Sequence, residues 1–145
     1  MAYTYAYPRP AVTTDAILIS KEKSEVYILL IERANEPYKG QWALPGGFVD
    51  MDEELEEACS RELKEETSVD GVPLQEFATF GAVNRDPRGR TISIVFWSIL
   101  DSRPNTKSGD DAANVKWFNL NDLPSLAFDH EIIIARFRQE KLDPH

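Results

Sequence analysis

The sequence predicts an α/β fold in which helices cover both faces of a mixed β-sheet. Segments rich in β-branched and aliphatic residues recur along the chain and are typical of strands. Two helical patterns interrupt them, one in the middle of the chain and one near its C-terminus. With 145 residues, 42% hydrophobic content and no long linker, the chain is expected to form a single domain over residues 1–145.

The strands are predicted from their aliphatic content and from the turns between them. Residues 11–20 and 26–33 are expected to form a hairpin, joined by the polar turn 21–25. Later strands are predicted at 76–84, 91–100 and 114–118. In the last helix, Ile133, Ile134 and Phe137 form the packed stripe, with Asp129 as its N-cap and His130 as a helix-start residue rather than a ligand.

The composition of the chain bears on its cellular location and on whether it binds membrane or nucleic acid. The first ten residues have neither a basic start nor an apolar run, and no later segment approaches the length of a membrane span. The single cysteine, Cys59, has no partner for an intramolecular disulfide. The chain also lacks a basic stripe that could bind duplex nucleic acid. We therefore expect a cytoplasmic protein that binds neither membrane nor nucleic acid, with a homodimer left open.

The acidity of the chain is concentrated in one stretch. The formal net charge is −9, from 25 acidic and 16 basic residues. Residues 44–70 hold ten of those acids and only two of the bases, Arg61 and Lys64. The rest of the chain is almost neutral. This local excess indicates a specific binding function rather than a general contribution to solubility.

The helix within this stretch places acids where a core helix has apolar side chains. At about 100° per residue, Glu62 and Glu66 fall inside the apolar arc and Glu65 lies at its edge. The arc itself is defined by Leu55, Ala58, Cys59 and Leu63. Crowded carboxylates on a half-buried face repel one another and lose hydration, so they require a cation or a basic partner.

No run of Lys or Arg is available to neutralise these acids, so we infer a bound divalent metal. Oxygen ligands favour Mg²⁺, or Mn²⁺, over zinc. The preceding loop, Pro45-Gly46-Gly47, permits close approach of the backbone, and the carbonyl of Gly46 can reach the same metal.

The opposite side of this helix has a simpler interpretation as a solvated face. Glu53, Glu56, Glu57 and Lys64 are predicted to lie there. Glu57 is expected to pair with Arg61 or Lys64 at helical spacing.

These residues resemble the Nudix box of the Nudix hydrolases. The match consists of Gly47, five residues, Glu53, seven residues, and then Arg61-Glu62-Leu63-Lys64-Glu65-Glu66-Thr67-Ser68-Val69. Ser68 stands where the family pattern has Gly. If Ser68 is a left-handed C-cap, it costs about 1 kcal/mol and removes no ligand.

The resemblance implies an α/β/α sandwich and a divalent metal held by Glu62, Glu65, Glu66 and the carbonyl of Gly46. It also implies catalytic roles for Arg61, which orients Glu62, and for Glu62 or Glu65. In some members the general base lies instead on a distant loop, for which Asp110 and Asp111 are the candidates.

A turn at residues 84–90 presents three arginines between two predicted strands. Guanidinium groups bind phosphate by paired hydrogen bonds, so Arg85, Arg88 and Arg90 are candidate substrate-binding residues. The alternative is a solvated hairpin tip. Arg33, at the end of a strand, is a further candidate for binding phosphate. The nucleobase of a substrate could pack against an aromatic residue, for which the candidates are Phe48, Tyr3, Tyr5 and Trp97.

The sequence around this turn resembles one branch of the Nudix proteins. The resemblance extends to Gly109-Asp110-Asp111-Ala112 and to residues 126–130. That branch includes ADP-ribose pyrophosphatases and the ADP-ribose-sensing regulators of NAD metabolism. The resemblance implies magnesium-dependent hydrolysis of ADP-ribose to AMP and ribose 5-phosphate. The alternatives are hydrolysis of oxidised nucleoside triphosphates and a non-catalytic module that senses ADP-ribose. The similar regulators carry an added DNA-binding domain.

Overall fold

The computed structural model describes residues 2–109 and 112–143. Within them, seven strands form one sheet. The strands are β1 (Ala11–Glu22), β2 (Glu25–Arg33), β3 (Trp42–Ala43), β4 (Gly46–Phe48), β5 (Gln75–Phe80), β6 (Thr91–Leu100) and β7 (Ala112–Asn119). The helices are α1 (Leu55–Thr67) and α2 (His130–Phe137), and α2 continues into a short π-helix, Arg138–Leu142.

The sheet is mixed, as predicted. Its main order is β3-β2-β1-β6-β5, with β4 paired to β1 and β7 paired to β2. The pairing of β1 with β6 is parallel, and the other pairings are antiparallel. Strand β1 therefore lies at the centre of the sheet, in contact with three other strands.

One face of β1 packs against the C-terminal helix. Ile17 and Ile19 share a buried cluster with Ile133, Ile134 and Phe137 of α2. The predicted apolar stripe of this helix is thus confirmed as the part that contacts the sheet.

The other face of β1 packs against α1. Alternation along the strand turns Ala16 and Leu18 to this side, where they share a cluster with Cys59 and Leu63. Burial raises the pKa of the Cys59 thiol to about 12, so the side chain is a structural thiol. Helices on both faces confirm the predicted α/β/α architecture. Among the described residues, none of the helices has the length and apolar character needed to cross a bilayer.

The predicted strands are confirmed with shifted ends. The first hairpin closes more tightly than expected, since Glu22 pairs with Glu25 and Lys23 takes a positive φ of 57°. The strand predicted for 76–84 ends at Phe80, because the chain turns away before Asn84, whose φ is 68°. The strand predicted for 114–118 is longer and spans Ala112–Asn119.

Helix α1 ends at a left-handed residue, as the sequence suggested. Ser68 has φ 68° and ψ 7°, and its N–H donates to the carbonyl of Lys64. Its hydroxyl donates to the carbonyl of Lys107 at 3.1 Å, which ties the loop after β6 to the end of the helix. Ser68 therefore makes a contact that glycine at this position cannot make.

This contact predicts different effects for two substitutions at one position. Ser68→Ala keeps the left-handed strain and loses the hydrogen bond, so it should lower the free energy of unfolding by about 0.5–1 kcal/mol. Ser68→Gly also loses the bond but relieves about 1 kcal/mol of strain, so it should be nearly neutral. Urea denaturation of the two variants tests this. An alanine variant as stable as the parent protein would show that the hydroxyl contributes nothing.

Candidate active site

A cavity of about 420 Å³ opens beside the loop that joins β3 to β4. Elements far apart in the sequence line it, including β1, β2, α1, the arginine turn and the start of α2. It contains most of the candidate residues, namely Arg33, Gly46, Phe48, Glu62, Glu66, Arg85 and Arg88. Its volume is that of a site for a small molecule.

Glu66 connects α1 to the glycine loop. Its carboxylate is buried, and Oε1 accepts a hydrogen bond from the N–H of Gly46 at 2.8 Å. Gly46 is itself held in place by pairing with Asp15 of β1. Glu66 thus contacts the glycine loop at the cavity through the Gly46 N–H, whereas the predicted metal ligand of Gly46 is its carbonyl.

Glu62 lies against the other glycine of the loop. A Cβ atom built on Gly47 would lie 2.5 Å from Cδ of Glu62, closer than such atoms approach in proteins. Gly47 is therefore required for space and not for a positive φ. The absence of a side chain at Gly47 allows the Glu62 carboxylate to pack directly on the loop backbone.

Arg61 lies among the carboxylates and contacts several of them. Its Nη1 is 2.8 Å from Oε1 of Glu62 and 3.3 Å from Oε2 of Glu65, while Nη2 is 2.7 Å from Oε1 of Glu53. Hydrogen bonding to Glu53 is the largest influence raising the pKa of Arg61. The same bond lowers the pKa of Glu53 to about 2, so both groups are charged at neutral pH. This geometry supports the predicted orienting role of Arg61 toward Glu62.

The structure corrects two predictions for this helix. Glu53 does not lie on a solvated helix face, because α1 begins at Leu55 and Glu53 turns back to Arg61 from the preceding loop. Glu57 does not pair with Arg61 or Lys64, and its carboxylate instead accepts the N–H of Glu54 at 3.0 Å. Lys64 lies 3.4 Å from Asp70.

The sequence has no run of Lys or Arg to neutralise the inner acids, but one residue is a basic partner for two of them. Arg61 is such a partner for Glu62 and Glu65. Glu65 is 51% exposed and does not line the cavity. The prediction of a metal consequently rests on Glu62, Glu66 and the Gly46 backbone.

Two arginines and two aromatic rings also line the cavity. The guanidinium of Arg88 lies 5.0 Å from the ring of Phe48 and 5.4 Å from that of Phe128. Arg33 lies over Phe128 at 4.9 Å, and its Nε donates to the carbonyl of Pro37. We call these four residues the arginine–aromatic wall. Such a surface can bind an anion and stack on a planar base.

Asp86 orients Arg88 within this wall. Its carboxylate accepts hydrogen bonds from the Arg88 backbone, Nε and Nη2 at 2.8 to 3.1 Å. Burial acts to raise the pKa of Asp86, but the hydrogen bonds and charge of Arg88 outweigh it and leave the pKa below its ordinary value. Asp86 is therefore ionised, and the ion pair fixes the direction of the guanidinium.

The three arginines of the turn do not share one environment. Arg85 lines the cavity but is buried in a two-point ion pair with Asp129, at 2.6 and 2.9 Å. Asp129 does precede α2, yet its side chain makes no capping bond. Arg90 is exposed, bonds to the carbonyl of Gly81 and lies outside the cavity. Of the three, Arg88 alone lines the cavity without being buried in such a pair.

Several cavity residues were not anticipated, notably Asp15, Asp86, Phe128 and His130. His130 begins α2, as predicted, but it is also buried at the cavity, where its Nδ1 accepts the N–H of Leu44 at 3.0 Å. Asp15 could have been identified from the sequence, because it is a charged residue inside the apolar strand β1.

The other aromatic candidates lie elsewhere. Trp97 packs on Phe137 in the core at 5.6 Å, and Tyr3 stacks with Tyr5 near the N-terminus. Asp110 and Asp111, the alternative bases, lie outside the described residues.

A model of the NUDIX domain family matches residues 9–138. The chain belongs to the Nudix family. It is 48% identical over 136 residues to an ADP-ribose pyrophosphatase of Methanocaldococcus jannaschii, covering 93% of this chain and 77% of that protein. It is a Nudix hydrolase by this relationship and by its fold.

Solved structures of Nudix proteins have the same architecture. The NUDIX domain of Shewanella oneidensis NrtR, complexed with ADP ribose, superposes with a TM-score of 0.85 at 33% identity, covering 92% of this chain and 89% of that one. A bifunctional NMN adenylyltransferase/ADP ribose pyrophosphatase from Francisella tularensis, complexed with AMP and a manganese ion, gives a TM-score of 0.79 at 33% identity. The alignment covers 92% of this chain and 42% of that protein.

Nudix hydrolases use divalent metals, and the residues of this site fit one. Glu62, Glu66 and the Gly46 backbone offer only oxygen ligands at one wall of the cavity, which suits a hard cation. Across residues 2–109 and 112–143, no group of three His, Cys, Asp or Glu side chains is already arranged around a metal position. Two of the three helix acids are paired with Arg61 instead.

Proposed function

We propose that this Nudix hydrolase cleaves the diphosphate of ADP-ribose, producing AMP and ribose 5-phosphate. One observation carries the proposal: a single cavity is lined both by carboxylates beside a glycine backbone and by the arginine–aromatic wall. A diphosphate needs positive charge around it, and an adenine needs a ring or guanidinium to stack on. The relationship to an ADP-ribose pyrophosphatase supports the same substrate.

We propose Glu62, Glu66 and the carbonyl of Gly46 as the holders of Mg²⁺, with Mn²⁺ as a substitute and Glu65 as a further ligand. When bound, such a metal offsets the charge of the phosphate oxygens and makes water more acidic. Arg61 keeps the Glu62 carboxylate in one orientation, through the 2.8 Å contact between the two side chains.

Arg33 and Arg88 are proposed to bind the diphosphate, and Phe48 and Phe128 to contact the adenine. Water then attacks one phosphorus atom, its proton passes to a carboxylate, and the other phosphate ester leaves. Glu65, which is half-exposed and lies 3.3 Å from Nη1 of Arg61, and Asp110 or Asp111 are the candidate bases. Replacing each with its amide and recording kcat against pH would identify the base.

The substrate assignment is tested by a panel of compounds in the presence of Mg²⁺. The protein should hydrolyse ADP-ribose with the highest kcat/KM among ADP-ribose, sugar nucleotides, diadenosine polyphosphates and nucleoside triphosphates. Selective release of pyrophosphate from triphosphates would favour the alternative of an enzyme acting on oxidised nucleotides. Tight binding of ADP-ribose without turnover of any compound would favour a non-catalytic sensor.

The arginine turn predicts a contrast between two neighbouring arginines. Arg88→Ala removes a cation that lines the cavity and should raise KM for ADP-ribose about tenfold or more, with a smaller change in kcat. Arg90→Ala is the matched control, because Arg90 bonds to the Gly81 carbonyl outside the cavity. Steady-state kinetics of both variants test the assignment. Equal effects of the two substitutions would mean that the turn contributes general positive charge rather than a specific contact.

A further inference from the structure

A carboxylate and an imidazole, both on elements other than α1, face each other in the cavity. Asp15 lies in the middle of β1 and His130 at the start of α2. Both side chains are at least nine-tenths buried, and both line the cavity. His130 Nε2 and Asp15 Oδ2 are 3.9 Å apart, too far for a direct hydrogen bond.

The hydrogen bond from Leu44 determines which nitrogen of His130 carries the proton. Nδ1 accepts the N–H of Leu44 at 3.0 Å, so a neutral imidazole must have its hydrogen on Nε2. Burial, the largest influence, lowers the pKa of His130 despite the nearby charges of Asp15 and Asp129. Among the described residues, Nε2 makes no hydrogen bond, and Oδ2 of Asp15 lies 3.9 Å from it. Nε2–H is thus a donor available to a ligand.

Asp15 is fixed in place as an acceptor. Ser93 of β6 donates its hydroxyl to Oδ2 at 2.5 Å. On the other side, Oδ1 lies where a side chain at Gly46 would have to go, so the glycine loop packs directly on the carboxylate. A carboxylate has about four acceptor positions, and the single Ser93 bond leaves capacity for a ligand.

We propose that Asp15 and His130 together bind a hydroxyl group of the substrate, namely a hydroxyl of the ribose that leaves as ribose 5-phosphate. This inference rests on the proposed ADP-ribose hydrolysis and identifies how the terminal sugar is recognised. A hydroxyl oxygen about 2.8 Å from each atom bridges the gap, accepting from Nε2–H and donating to Oδ2.

The pair also selects against a phosphate in the same position. A hydroxyl both donates and accepts, which matches one donor beside one acceptor. A terminal phosphate has little donor capacity at neutral pH, and the charge of Asp15 repels it. The pair therefore favours a substrate that ends in a sugar over a nucleoside triphosphate.

The test compares kcat/KM for two substrates in each variant, because a general loss of activity affects both and cancels in their ratio. The substrates are ADP-ribose and an ADP ester in which cyclopentanol replaces the terminal ribose. In the parent protein, kcat/KM should favour ADP-ribose by about tenfold to a hundredfold, the range of a hydrogen bond to a charged group. Asp15→Asn and His130→Asn should each reduce this ratio at least fivefold. Asn at position 130 can still accept the Leu44 N–H while lacking Nε2.

Ser93→Ala is a further variant, which removes the hydrogen bond that Ser93 donates to Asp15. Ser98→Ala is its control, since both serines are buried on β6 and of the two only Ser93 contacts Asp15. The ratio should fall in the Ser93 variant and stay unchanged in the Ser98 variant. If Asp15 and His130 merely support the fold, both substrates will slow together and the ratio will remain constant, which overturns the inference alone. If the parent protein does not hydrolyse ADP-ribose, the proposed function fails first.

Discussion

Replacement of Glu66 by Gln is expected to lower kcat about a thousandfold without weakening the metal-free fold. Gln keeps the shape of the side chain and an oxygen that can accept the Gly46 N–H. It removes one negative charge from a crowded cluster, so stability without metal should be equal or slightly higher. Loss of a charged metal ligand removes several kcal/mol of transition-state stabilisation, at about 1.4 kcal/mol for each tenfold in rate.

Thermal unfolding provides the second measurement for this variant. Magnesium that binds the folded cluster should raise the melting temperature of the parent protein and raise that of the Glu66 variant much less. Glu56→Gln is the matched control, since it is the same change on the exposed side of the same helix. A Glu66 variant that melts far below the parent without metal, yet hydrolyses substrate normally, would mean that Glu66 is a structural residue and that the metal lies elsewhere.

Replacement of Gly47 by Ala is expected to reduce kcat by two to three orders of magnitude, on the order of 3 to 4 kcal/mol. The added methyl group would overlap the carboxylate of Glu62, which must move away from the glycine loop. The effect should therefore equal that of Glu62→Gln, and the magnesium-dependent rise in melting temperature should shrink in both variants.

Gly81→Ala is the control for this change. A Cβ at Gly81 meets Ile92 at 3.6 Å, an ordinary contact, so the substitution should leave kcat unchanged. An active Gly47 variant with a normal response to magnesium would show that the position of the Glu62 carboxylate is not important for catalysis.

Local patterns in the sequence were sufficient for the main elements and for the inner face of α1. Helical periodicity placed Glu62 and Glu66 on the buried side, and the buried Glu66 confirms that placement. The aliphatic segments became strands because each could bury its side chains in a central sheet. Only the ends of the strands differ from the prediction, because tertiary contacts rather than local propensity determine where a strand ends.

The site contained contacts that local patterns do not determine. Glu53 precedes the helix, and its bond to Arg61 depends on how the loop folds back. Arg88 and Arg90 are two residues apart with similar chemistry, yet Asp86 draws one of them toward the cavity. Asp15 and His130 meet only because α2 packs on the sheet beside β1. Pairings of this kind follow from the assembled fold and could not be read from spacing.

The most direct test of the central claim is hydrolysis of ADP-ribose in water enriched in oxygen-18, with magnesium present and products identified by mass spectrometry. Attack of water on phosphorus predicts AMP and ribose 5-phosphate in equal amounts, with one labelled oxygen on the phosphate of a single product. The label should be incorporated about a thousandfold more slowly by the Glu66→Gln variant. Release of ADP with labelled ribose would instead show attack at the sugar carbon, and absence of any turnover would show that the site is not catalytic for this substrate. Either result would contradict the assignment of the cavity as a diphosphate-cleaving site.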